Sequence, residues 1–254
     1  AVRFLSEYDW NTEDNTSSTG DTVALDVASV TLEEVFFAPL SVTVGRQELV
    51  FGNAFVLGDP DTNGTSQATN LTALDLSLRK SFDAVSAVLD YDPLVVDLIY
   101  AKIDETATTL VGTPSTTTAD DEDLYGINVA YDIGGQMESE IEGFWLFKRD
   151  NSQVTPGIST VKDTYQSGHE IHTYGVRGSL VPIEDLNILA EVAIQTGDYD
   201  KTAAVQRDQD ASAYQVAADY TFPDIEVPWV DIVIGVPAIK VGYTHYSGEE
   251  VLNS

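Results

Sequence analysis

Residues 186–195 read LNILAEVAIQ, and the alternation in this stretch decides the fold. Ile188, Ala190, Val192 and Ile194 fall on one side of an extended chain. Asn187, Glu191 and Gln195 fall on the other, with Leu189 and Ala193 between them. A period of two is a β-strand with one apolar face. That face needs cover, either from a second sheet or from lipid.

Three further stretches alternate as cleanly. Val2, Phe4, Tyr8 and Trp10 oppose Arg3, Glu7 and Asp9. Tyr125, Ile127, Val129, Tyr131 and Ile133 oppose Gly126, Asn128, Ala130 and Asp132. Tyr214, Val216, Ala218, Tyr220 and Phe222 oppose Gln215, Ala217, Asp219 and Thr221. Strand-like segments recur at 2–10, 22–37, 40–51, 78–91, 93–106, 123–133, 137–150, 168–182, 185–200, 210–223 and 229–248, and no amphipathic helix interrupts them. The expected class is all-β. The segment 22–37 has no clean face, so its register stays unassigned.

The connections alternate as well. FAPLS, YDPLV, DIGGQ, VPIED and FPDIEVP are short and built around Pro or Gly turns. Between them come long polar connections near 11–21, 52–79, 107–122, 151–168 and 199–210. Short turns at one end and long loops at the other are the pattern of an outer-membrane barrel, with the long loops outside. We therefore expect an antiparallel up-and-down transmembrane β-barrel, a single domain over 1–254, in a bacterial outer membrane. About eleven strands is an odd number, and the chain ends GEEVLNS without a closing aromatic strand. The expected chain is thus part of a larger barrel.

Charge narrows the partners. Acidic residues number 42 and basic residues 12, a net charge of -30. Such a field repels nucleic acid, so DNA and RNA are excluded as partners. A 43% hydrophobic share with 12 Tyr and 9 Phe argues against disorder. The absence of cysteine removes disulfides, thiolate catalysis and cysteine-zinc sites. No apolar run approaches the ~20 residues of a spanning helix. Trp10, Tyr91, Tyr125, Tyr131, Trp145, Tyr174, Tyr220, Trp229 and Tyr243 lie near strand ends, where membrane lipids place an aromatic girdle.

The segment 41–90 carries a resemblance. SVTVGRQELVFGN, LGDPDTNG and LRKSFDAVSAVLDY resemble the alginate-export family of outer-membrane porins. The matching positions are Gly45, Arg46, Gln47, Glu48, Leu49, Phe51, Gly52, Ser81, Phe82, Asp83, Ala84 and Val85. The resemblance implies a many-stranded barrel that passes a solute passively and without a cofactor. Its implied cargo, a polyanion, needs a basic pore. Here the polar positions are mostly acids and amides, with few cations among Arg3, Lys148, Arg177 and Lys240.

The pore-lining residues expected are Arg46, Glu48, Asp83, Asp97, Asn128, Asp132, Glu140, Glu142, Asn187, Glu191, Gln215, Asp219 and Lys240. Such a lumen passes small polar or cationic solutes and repels anions. Arg46 and Glu48 share a face by alternation, which also fits a structural ion pair bracing the wall. Asp59, Asp61 and Asn63, followed by Gly64, match the first half of a Ca2+ loop over 59–70. Asn70 stands where a bidentate Glu belongs, so a solvated turn competes with the metal site. His169 and His172 are three apart and cannot chelate together on one strand; they and His245 fit a rim or interface. No nucleophile elbow, zinc-protease motif or phosphate loop occurs, so no enzyme is expected. The acid pairs Glu138/Glu140 and Glu140/Glu142, about 7 Å apart on a strand face, leave a barrel glycosidase as the one catalytic option. Two other classes stay open: a barrel scaffold that seats a partner protein, and a soluble β-sandwich binding module.

Overall fold

The computed structural model describes residues 1–5, 24–34, 36–58, 81–106, 120–150, 170–198, 208–222, 225–227, 232–234 and 238–247. The strands are β1 Val2–Leu5, β2 Ala24–Leu32, β3 Leu40–Gln47, β4 Phe82–Asp90, β5 Leu94–Thr106, β6 Asp120–Gly134 and β7 Ser139–Asp150. They continue with β8 Glu170–Ile183, β9 Leu186–Asp198, β10 Asp208–Thr221, β11 Ile225–Val227, β12 Ile232–Ile234 and β13 Ala238–Tyr246. β1 to β10 and then β13 form one eleven-stranded sheet in neighbour order, every pair antiparallel. The all-β, up-and-down expectation therefore holds for the described residues. β1 and β13 are the sheet's two edges.

The short turns sit where the sequence put them, with three differences in detail. Cis peptide bonds at Ala38–Pro39 and Asp92–Pro93 lie in the β2–β3 and β4–β5 turns. A 3-10 turn over Gly135–Met137 joins β6 to β7. First, the expected strand 229–248 is divided: β13 starts only at Ala238. The connection before it carries the β11–β12 hairpin, with Ile225 opposite Ile234 and Val227 opposite Ile232. Second, the segment 22–37 narrows to Ala24–Leu32, and its register with β1 slips between Arg3 and Phe4. That slip buries the adjacent Asp26 and Val27, which explains why no clean face is legible there. Third, β3 stops at Gln47, four residues before the expected end. The chain then turns off the wall, and this departure shapes the interior.

The two faces differ as alternation demands. Val176 is 57% exposed, Val192 53% and Ile194 48%, while the intervening Leu189, Glu191 and Ala193 are buried. Leu40, Leu89, Val96, Val129, Gly143, Val176, Val192 and Tyr214 are successive register partners across eight strands of the exposed face. A second row runs Val44, Val85, Tyr100, Tyr125, Phe147 and His172. With strands ~4.8 Å apart and ~3.4 Å of rise per residue, the two rows define a band roughly 34 Å wide and 14 Å high.

Next to the Val44–His172 row, toward the long connections, the same face changes to charge. Arg46, Asp83, Lys102, Asp123, Arg149 and Glu170 follow one another in register. Arg46 meets Asp83 at 3.1 Å, Lys102 meets Asp123 at 2.8 Å and Arg149 meets Glu170 at 3.6 Å. The solvent-facing Arg46–Asp83 and Arg149–Glu170 pairs contribute only about 0.2–1 kcal/mol each, while the buried Asp123 is held by Lys102. Their larger effect is to end the apolar band along one line.

The sequence motif of 45–49 and 81–85 pins this corner. Gly45 pairs with Ala84, Arg46 with Asp83 and Gln47 with Phe82, so the two halves of the motif are register partners. Gln47 is buried; its amide donates to Ala84 O at 3.0 Å and its oxygen accepts from Ser86 Oγ at 2.7 Å. Gly45 has φ 116°, and a Cβ there would stand 2.3 Å from Ala28 O. Gly45→Ala is therefore expected to lose about 1–3 kcal/mol by strain alone, with the collision adding more. Gly242→Ala is the control, because its Cβ would meet Ala217 Cβ at an ordinary 3.5 Å. Thermal unfolding followed by circular dichroism in detergent should show a lower midpoint for the first variant and a near-unchanged one for the second.

Candidate functional site

Residues 48–58 leave β3 and cross the buried face of the sheet. Phe51 N donates to Leu57 O at 3.0 Å, which closes a compact strap. Gly52 N donates to Glu142 Oε1 on β7 at 2.8 Å. Asn53 N donates to Glu191 Oε2 on β9 at 2.8 Å, and Asn53 Nδ2 donates to Gln215 Oε1 on β10 at 2.7 Å. Phe55 stacks on Tyr246 of β13 with ring centroids 5.3 Å apart. These contacts fix the curvature of the wall. Six residues separate Gln47 from Asn53, a reach of at most ~21 Å. In a flat sheet β3 and β9 would lie ~29 Å apart, six spacings of ~4.8 Å. Only a fully stretched backbone and Glu191 side chain would span that, whereas the strap is closed into a compact turn by Phe51 N and Leu57 O. The sheet is curled, and the strap lies in its concave side.

The strap divides the concave face into two regions. Toward β3–β7 it covers an apolar cluster of Leu49, Phe51, Leu57, Phe82, Ile99, Leu124, Phe144 and Leu146. Phe51 and Phe144 pack with ring centroids 6.1 Å apart. Toward β7–β10 the wall is polar: Glu142, Arg177, Glu191, Gln215 and Thr244 are successive register partners. Arg177 Nη1 donates to Glu140 Oε1 at 2.5 Å and to Glu142 Oε2 at 3.2 Å. Gln215 Nε2 donates in turn to Thr244 Oγ1 at 3.1 Å. Glu191 has no exposed surface, and its Oε1 has no hydrogen-bond partner among the described residues.

Gly52 is required where it stands. Its φ is 62°, and a Cβ would lie 2.5 Å from Glu191 Oε1 and 2.7 Å from Oε2. The backbone therefore touches the carboxylate directly. Hydrogen bonds to charged acceptors contribute about 1.5–3 kcal/mol each. Burying a carboxylate costs several kcal/mol unless it is compensated. Glu142 is compensated by Arg177, whereas Glu191 receives a neutral N–H.

Most of the expected pore-lining residues share this concave face. Asp97, Asn128, Asp132, Glu140, Glu142, Asn187, Glu191, Gln215, Asp219 and Lys240 all project inward by alternation from the buried positions. Asn128 Nδ2 donates to Asp97 Oδ2 at 3.1 Å, and Lys240 meets Asp219 at 3.6 Å. The cations named from sequence are each engaged by acids: Arg3 with Asp26 and Glu48, Lys148 with Glu122 at 3.0 Å, and Arg177 with Glu140 and Glu142. Arg46 and Asp83 are placed differently: they lie on the exposed face, opposite the buried Phe82 and Ala84. Glu48 lies past the end of β3 and binds Arg3 rather than Arg46. The expected alternation of Arg46 with Glu48 fails because the strand ends between them.

Glu140 and Glu142 share one guanidinium, and Glu138 sits in a turn with φ 43°. The spacing that resembled a glycosidase pair is the spacing of an arginine clamp. The Ca2+ positions Asp59, Asp61 and Asn63 lie outside the described residues. His172 stacks on Phe147 at 4.7 Å and accepts from Trp145 Nε1 at 3.2 Å, while His245 packs on Tyr214 at 5.1 Å. Both belong to the exposed aromatic face.

The strap departs from the sequence expectation, in which LVFGNAFVL at 49–57 belongs partly to a strand and partly to a long outer loop. The available signal was apolar density, since a solvated loop has no reason to hold Phe51, Phe55, Val56 and Leu57 together. Removing the latch charges in Glu142→Gln/Glu191→Gln should lower hydrogen-exchange protection of the Gly52 and Asn53 amides at least tenfold. Unchanged protection would mean the carboxylates do not hold the strap. No family model, curated protein or solved structure matches the chain.

Proposed function

We propose that the chain is the wall of an outer-membrane channel that passes small polar or cationic solutes. One observation carries this: the curled sheet presents an apolar face outward and holds the buried Glu142 and Glu191 on its concave side, beside the apolar cluster under the strap. A soluble barrel has the inverse polarity. In lipid the exposed Val, Ile and Tyr rows are covered by acyl chains. The Trp145–Phe147–His172–Tyr174 stack then lies at the headgroups, next to the ion-pair line from Arg46 to Glu170. An open sheet edge is not tolerated in hydrocarbon, so β1 and β13 meet each other or further strands in a closed barrel.

The strap is the constriction of this channel. It crosses the concave side between an apolar wall and the Glu142–Arg177–Glu191 row, and its backbone closes on Glu142 and Glu191. Acids outnumber cations there, and the field is poorly screened in a narrow low-dielectric space. Small cations are favoured over anions, and a polyanion such as alginate is excluded.

Two measurements test the proposal. The protein should need detergent to stay monodisperse, and in planar bilayers at low salt its reversal potential should report cation preference. A monodisperse protein in detergent-free buffer, or clear anion preference, would refute it.

A further inference from the structure

The wall beneath the strap is rich in acceptors and short of charged donors. Glu191 is fully buried, accepts the neutral backbone N–H of Asn53, and among the described residues keeps an oxygen without a hydrogen-bond partner. Glu142 stands two strands away in the same row, with Arg177 between them. The two carboxylates are bridged by consecutive N–H groups of the strap, from Gly52 and Asn53. The same wall already holds one guanidinium, since Arg177 Nη1 reaches both Glu140 and Glu142.

We infer that Glu142 and Glu191 form a binding site for the guanidinium group of a small organic cation, which takes the place of the strap's two N–H donors. This deepens the channel proposal, because the ligand reaches the strap through the lumen. The chemistry selects the ligand class. A guanidinium offers several coplanar N–H donors together with a full positive charge. Exchanging neutral donors for charged ones strengthens each bond to a buried carboxylate. A metal ion must approach every oxygen to about 2.0–2.6 Å, which suits a compact cluster better than two acids on strands flanking an arginine. A quaternary ammonium carries the charge without the donors. Arrival of the guanidinium frees the Gly52–Asn53 backbone, so the ligand displaces the constriction that blocks it.

Isothermal titration of the full chain in detergent micelles with methylguanidinium chloride tests the site, with tetramethylammonium chloride as the donor-free control. The expected result is saturable binding of methylguanidinium only. Glu191→Gln should weaken it at least tenfold. Gly52→Ala, which forces the strap off the carboxylate, should tighten it several-fold. The opposite sign of the second variant separates a lost ligand from a misfolded protein. Absence of binding, equal binding of the control, or a Glu191→Gln variant that binds like the parent would overturn the inference. A protein that binds methylguanidinium as expected but carries no bilayer current would support the site and defeat the channel proposal instead.

Discussion

Successive side chains of a strand point to opposite faces, and everything else in this molecule depends on that constraint. It lets one thin wall meet two environments without a second layer. Val192 and Ile194 face out, while Glu191 and Ala193 face in. The interior is then free to hold groups that a packed core would reject. Fully buried carboxylates are costly, and they persist here because a backbone strap and an arginine supply their donors.

The strap makes the interior asymmetric. Its apolar residues extend the hydrophobic contact with β4–β7, while its backbone addresses the acids of β7 and β9. Cores of soluble domains draw their specificity from packing density. Here packing governs only one flank, and hydrogen bonds to charged acceptors govern the other. A change to Phe144 and a change to Glu191 would thus be felt in different ways, one through volume and the other through uncompensated charge.

The wall was legible because alternation is local. Tyr125 to Ile133 and Leu186 to Gln195 declare their faces within ten residues, and Pro and Gly mark the turns between strands. Inward placement followed for ten of the expected lining positions, from Asp97 to Lys240. It failed for Arg46 and Asp83, which share the outer face with Val44 and Val85 by plain alternation, and for Glu48, which lies past the end of β3. The strap was not legible at all. Its partners lie far away in sequence, and no periodicity within LVFGNAFVL announces Glu142, Glu191 or Gln215. The β11–β12 hairpin was hidden for the opposite reason: a run of Ile and Val reads equally well as the start of the next long strand.

The distances along the chain bear on how the molecule is assembled. Each hairpin of the wall joins neighbours, so it can form as soon as its two strands exist. The strap's bonds instead span 90, 138 and 162 residues. Contacts of such separation require loop closure before they contribute any stabilisation, and they form late. The strap is made early in the chain but can settle only after β7, β9 and β10 are in place. Until then the strap's apolar residues lack their distant neighbours on β7 and β13 and stay uncovered.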